Sequence, residues 1–111
     1  MMTQQSGELL AEILREAGYE VAVAADGAQA QKALKESHFE LMITDLAMPN
    51  VEGLETIQAV RRNYPQLNII ALSGAFGSEF LGVAKHLGAR ATLQKPVGPD
   101  QLLAAVRSVL G

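Results

Sequence analysis

No cysteine occurs in the 111 residues, so disulfide staples and thiolate metal sites are both excluded. His38 and His86 are the two histidines, too few and too far apart for a zinc site. Basic residues are also scarce: nine Lys and Arg stand against twelve Asp and Glu, scattered from Arg15 to Arg107, for a net charge of -3. Without a basic stripe, direct binding to DNA or RNA is not expected. No apolar run approaches the roughly 18 residues that a membrane span needs. The opening Met1-Met2-Thr3-Gln4-Gln5-Ser6-Gly7 has neither a positive start nor an apolar centre, so a signal peptide is not expected. A cytoplasmic domain with no membrane partner is the expectation. What the chain does have is apolar content, 49% of its residues, enough for the core of one domain.

Helical and strand-like periods alternate along the chain. Leu9, Leu10, Ile13, Leu14 and Ala17 recur at helical spacing, and Gly18 is suited to a left-handed stop, which predicts a helix over about 5–17. Val21 and Val23 alternate in a strand over 19–25, and Asp26-Gly27 marks a turn or the start of the next helix. Ala30, Ala33 and Leu34 give that helix a thin apolar face ending near Ser37. Residues 41–45 are almost continuously apolar, as in a strand covered on both faces. A helix through Leu54, Ile57 and Val60 stops at Asn63 before Pro65, and 69–72 is again continuously apolar. A fourth helix runs through Phe80, Leu81, Val83, Ala84 and Leu87 to Gly88. A fifth starts at Pro99 and turns Leu102, Leu103, Val106 and Leu110 inward. This alternation predicts a parallel sheet with helices on both faces.

Three of the apolar runs end in polar residues: Leu41-Met42-Ile43-Thr44-Asp45, Asn68-Ile69-Ile70-Ala71-Leu72-Ser73 and Ala91-Thr92-Leu93-Gln94-Lys95-Pro96. In open α/β sheets ligands bind beyond the carboxyl ends of the strands, so neighbouring placement of these runs would gather a carboxylate, a hydroxyl and an ammonium. That set suits an acyl phosphate. Asp45 at the end of a buried strand would be oriented and reachable, as a nucleophile toward phosphorus must be. Lys95 would pair with it and then with a phosphoryl oxygen, while Ser73 donates its hydroxyl and Gly74 leaves room for the anion. Plainer readings stand beside these: Asp45 as acceptor for the following loop, Lys95 as a surface lysine, and Ser73-Gly74 as an ordinary turn.

The chain from about Glu8 to Leu110 resembles the receiver domain of bacterial two-component response regulators. The resemblance rests on six segments in order: residues 14–21, 25–30, Ile43-Thr44-Asp45-Leu46-Ala47-Met48-Pro49-Asn50-Val51-Glu52-Gly53-Leu54, Ala71-Leu72-Ser73-Gly74, Gly88-Ala89 and Lys95-Pro96. It implies a flavodoxin-like doubly wound fold and a phosphoryl group passed to Asp45 by a histidine kinase or phosphotransfer protein. Ser73 takes the place of the phosphate-responsive hydroxyl. Lys95 takes the place of the pairing lysine, with a cis bond expected to Pro96. Ala47, Gly74 and Pro96 would line the site, and the small Ala47 and Gly74 would leave it open to water and to quick loss of the phosphoryl group.

Two departures accompany the resemblance. Receiver domains begin with an apolar strand ending in an acidic pair that, with the phosphoacceptor, holds Mg²⁺. Counting back from Gly18 puts that pair at about Met1-Met2, and no apolar run precedes Gln4. The first strand is therefore expected to be missing, leaving four strands and five helices in a single domain, 1–111, truncated at its N-terminus. Glu8 then reads as a first-turn helix charge, and Asp45 alone remains as a metal ligand, which makes Mg²⁺ binding doubtful and phosphorylation weak or absent. A gap at the sheet centre would favour a homo-oligomer formed by strand exchange or edge pairing. The second departure is Thr92, which stands where the family often carries a switch aromatic; Phe76 and Phe80 read as packing residues. Alternatives are an ordinary receiver read from an internal methionine, and a phosphorylation-independent pseudo-receiver that acts by docking. A haloacid dehalogenase-like phosphatase ranks lower, because it wants a carboxylate where Ala47 stands. The domain is not expected to be an enzyme beyond self-phosphorylation and self-dephosphorylation.

Overall fold

A computed structural model describes the backbone of residues 2–4, 7–46, 51–73 and 78–111, and the side chains of 9–44, 54–73 and 82–111. Its elements, in chain order, are β1 (Met2–Gln4), α1 (Gly7–Glu16), β2 (Ala22–Ala24), α2 (Gly27–Glu36), β3 (Leu41–Leu46), α3 (Val51–Asn63), β4 (Asn68–Ser73), α4 (Ser78–Leu87), β5 (Ala91–Gln94) and α5 (Pro99–Leu110). The strands form one parallel sheet in the order β2-β1-β3-β4-β5.

Alternation along the strands sends side chains to both faces, and both are covered. Met42, Ile69 and Ala71 pack with Ala30 and Leu34 of α2, Ile57 and Val60 of α3, and Ala84 of α4. Leu41, Ile43, Ile70 and Leu72 point the other way, onto Leu14 of α1 and Leu102 and Val106 of α5. This explains why β3 and β4 read as unbroken apolar runs: each successive residue meets a helix.

Local chemistry sets the helix ends. Asp26 starts α2, accepting from Gln29 N at 2.8 Å while the Gln29 amide oxygen accepts from Ala25 N at 3.0 Å, so the Asp-Gly pair opens a helix. Helix α1 ends on Gly18 at φ +100, with Tyr19 N donating to Leu14 O at 3.1 Å and Gly18 N to Arg15 O at 3.0 Å. Helix α4 ends the same way on Gly88 at φ +127, through Ala89 N to Ala84 O at 3.0 Å. The expected glycine stops at 18 and 88 are therefore both present. Pro99 opens α5 as expected.

The expectation of a missing first strand is corrected. Met2–Gln4 forms β1 and fills the central place between β2 and β3, so the sheet has five strands where four were expected. The physical reason is that a parallel ladder is made by backbone N–H and C=O groups, and three residues in register suffice for pairing: Met2 with Ala22 and Met42, Thr3 with Val23 and Ile43. An apolar run was the wrong thing to require. Counting back also misplaced the end of this strand, because α1 begins at Gly7 rather than near residue 5. Strand β1 ends at Gln4, two residues beyond the Met1-Met2 position. With the centre filled, the argument for strand exchange loses its gap, and the outer strands are β2 and β5.

Candidate functional site

The parallel register gathers the three polar strand ends at one edge. Asp45 lies opposite Leu72, and the next residue, Leu46, lies opposite Ser73, which in turn lies opposite Gln94. Adjacent strands are about 4.8 Å apart, so the backbones of Asp45 and Ser73 are neighbours and Lys95 follows one strand further on. Lys95 N donates to Ser73 O at 2.7 Å, extending the β4–β5 pairing by one bond past the ladder. The Lys95-Pro96 bond is cis, as the resemblance implied.

Ser73 is the most informative side chain. It is 0% exposed, and among the described residues its Oγ has no hydrogen-bond partner. A buried hydroxyl left without a partner costs about 1–3 kcal/mol. Lys95 is half-buried beside it and Pro96 is exposed. Thr92 is half-buried and lies opposite Ala71, two residues before the Ser73 pair and so on the same sheet face as Ser73. The Asp45 carboxylate, Ala47, Gly74, Phe76 and the Phe80 side chain lie outside the described residues.

Gln4 was not anticipated at this edge. It is the last residue of β1, one place beyond the Thr3–Ile43 pair, while Asp45 is two places beyond Ile43 on the adjacent strand. Its signal in the sequence is positional only: it precedes a helix start by three residues. A concavity of about 590 Å³ lies at the opposite end of the strands, bounded by Phe39, Tyr64, Pro65, Leu67 and Asn68. It has no part in the Asp45–Ser73–Lys95 edge. No described helix is long and apolar enough to cross a membrane.

The profile of the response regulator receiver domain matches residues 3–107. The chain is 39% identical over 105 residues to the transcriptional regulatory protein CpxR of Escherichia coli K12, covering 92% of this chain and 43% of that protein. A response regulator receiver protein of Anaeromyxobacter sp. is 36% identical over 96 residues, covering 86% of this chain and 40% of the relative. The chain thus spans about two fifths of the length of these relatives. Among solved structures, the receiver domain of NtrX from Brucella abortus superposes with a TM-score of 0.92 at 23% identity, covering 98% of this chain and 96% of that one. The chemotaxis protein CheY4 of Vibrio cholerae gives 0.87 at 31% identity, with 97% and 95% covered. The chain belongs to the response regulator receiver domain family of two-component signalling.

Proposed function

We propose that this domain accepts a phosphoryl group on Asp45 from a histidine kinase or phosphotransfer protein, and that Ser73 and Lys95 read the modified state. The observation that carries this reading is the buried Ser73, whose hydroxyl has no partner among the described residues and which lies one strand from Asp45 with its carbonyl tied to the Lys95 amide. In the transfer, an Asp45 oxygen bonds to phosphorus as the donor's P–N bond breaks, and the imidazole regains a proton. The new phosphoryl oxygens are acceptors, which the Ser73 O–H and the Lys95 ammonium can both satisfy. Water attack on the acyl phosphate returns Asp45 and inorganic phosphate. The domain is a phosphoacceptor in the cytoplasm, and its kinase is the enzyme.

Incubation with a phosphohistidine donor or acetyl phosphate, followed by intact mass measurement, should add one phosphoryl group. Asp45→Asn should remove that gain entirely. A wild-type chain that never gains mass favours the second reading, a pseudo-receiver that signals by docking alone; the amide side chain at the end of β1 is the observation that supports it.

A further inference from the structure

The starts of the strands carry a groove that the Asp45–Ser73–Lys95 edge does not use. The concavity of about 590 Å³ adjoins a second of about 310 Å³, and His38, Phe39, Glu40 and Leu110 line both. Phe39 and Tyr64 pack on the core of one sheet face, while Tyr19 and Leu110 pack on the core of the other, so the groove passes beneath the start of β3 from face to face. Three half-buried rings, Tyr19, Phe39 and Tyr64, form its walls. The backbone around them is fixed: Glu40 O accepts from the backbone and side-chain amides of Asn68, Tyr19 N donates to Leu14 O at 3.1 Å, and Leu67 N donates to Tyr64 O at 3.1 Å. A pre-formed hollow of this size, largely apolar with a few polar groups, is what a small ligand needs.

The full charges around the rings are of one sign. Glu20 borders the smaller hollow and Glu40 borders both, and no Lys or Arg lines either. Glu40 is exposed, so its carboxylate is open to an incoming ligand. The face of an aromatic ring is the negative part of its quadrupole, so the rings and the carboxylates attract the same partner, a positive charge. Among the described residues no group of three His, Asp or Glu is placed to hold a metal ion. An organic cation needs no such coordination shell. We infer that this groove binds a small amphipathic organic cation, an ammonium or guanidinium on an apolar body, with the body against Phe39 and Tyr64 and the charge between the rings and Glu40. An anionic ligand would meet like charge, and a neutral one would leave the carboxylates unused. The site stands apart from the phosphoacceptor reading, at the other end of the strands.

The test is amide chemical-shift mapping at about pH 8, above the usual histidine range, with phenylbutylamine as the probe and phenylbutanol and phenylbutyrate as its neutral and anionic counterparts. The amine should bind saturably, shift the amides of residues 38–40 and 66–68 first, and bind about tenfold tighter than the alcohol, with the acid weakest. Glu40→Gln is an exposed change that keeps the backbone carbonyl bonded to Asn68. It should weaken the amine about threefold to fivefold and leave the alcohol unaffected. Equal or tighter binding of the alcohol or the acid would overturn the inference, as would no saturable amine binding, shifts centred away from the groove, or an amine affinity that Glu40→Gln does not move. Much tighter binding of a lysine-bearing peptide would assign the groove to a peptide segment, and shifts of the same amides on dilution without ligand would assign it to a second copy of the chain; either would also overturn it. Mass gain at Asp45 is measured separately, so failure here leaves the phosphoacceptor reading standing.

Discussion

The two ends of the sheet are finished in opposite ways. Where the strands begin, polar groups are tied down: Asn68 gives both its backbone N–H and its side-chain amide to Glu40 O, at 3.2 Å each. Arg61 donates to Pro65 O at 2.7 Å and to Gly88 O at 2.8 Å, joining the connection that leads into β4 to the one that leads into β5. Burial pushes the Arg61 pKa down, and neighbouring Arg90 pushes it further the same way, so these two carbonyls are what keep the guanidinium there. Where the strands finish, the fully buried Ser73 hydroxyl has no partner among the described residues. Among the described residues, one end spends its hydrogen-bonding capacity on the fold, while the other keeps a buried hydroxyl with capacity to spare.

Substitutions at the two ends should separate accordingly. Gly88→Val should have the largest effect on stability, because position 88 sits at φ +127 and a Cβ there would stand 2.6 Å from Arg61 Nε. A loss of about 3 kcal/mol in denaturant unfolding is expected, with phosphoryl uptake per folded molecule unchanged. Arg61→Ala removes both carbonyl contacts and should cost about 1–2 kcal/mol, again without touching chemistry at Asp45. Ser73→Ala should be the mildest. Removing an unsatisfied buried hydroxyl should leave stability unchanged or raise it by up to about 1 kcal/mol, while weakening the response to phosphorylation. A clear loss of stability in Ser73→Ala would show that the hydroxyl is bonded in the resting protein, and the contrast between the two ends would collapse.

Much of this was legible in the sequence because it was encoded locally. Asp45, Ser73 and Lys95 each follow an apolar run, and the parallel order of those runs alone brings them to one edge. Gly18 and Gly88 announced their helix ends through a backbone conformation that few other residues tolerate. Strand β1 was not legible, because three residues with little apolar character carry no periodic signal and are recruited by the ladders waiting on either side. Arg61 was equally silent: its carbonyl partner at Gly88 is 27 residues away, and nothing near Arg61 in the chain marks it as a strut. Local patterning reveals elements and their ends, whereas contacts made across the fold appear only once it is closed.

The 2.7 Å bond from the Lys95 amide to the Ser73 carbonyl makes the two residues mechanically one piece. An anion that draws the Ser73 hydroxyl toward it pulls on the peptide to which residue 95 is anchored, so displacement on β4 is transmitted to the start of the connection leading into α5. On the proposed function, exchange of the Lys95 amide hydrogen with solvent deuterium should therefore report phosphoryl occupancy at Asp45, readable with no knowledge of what lies downstream.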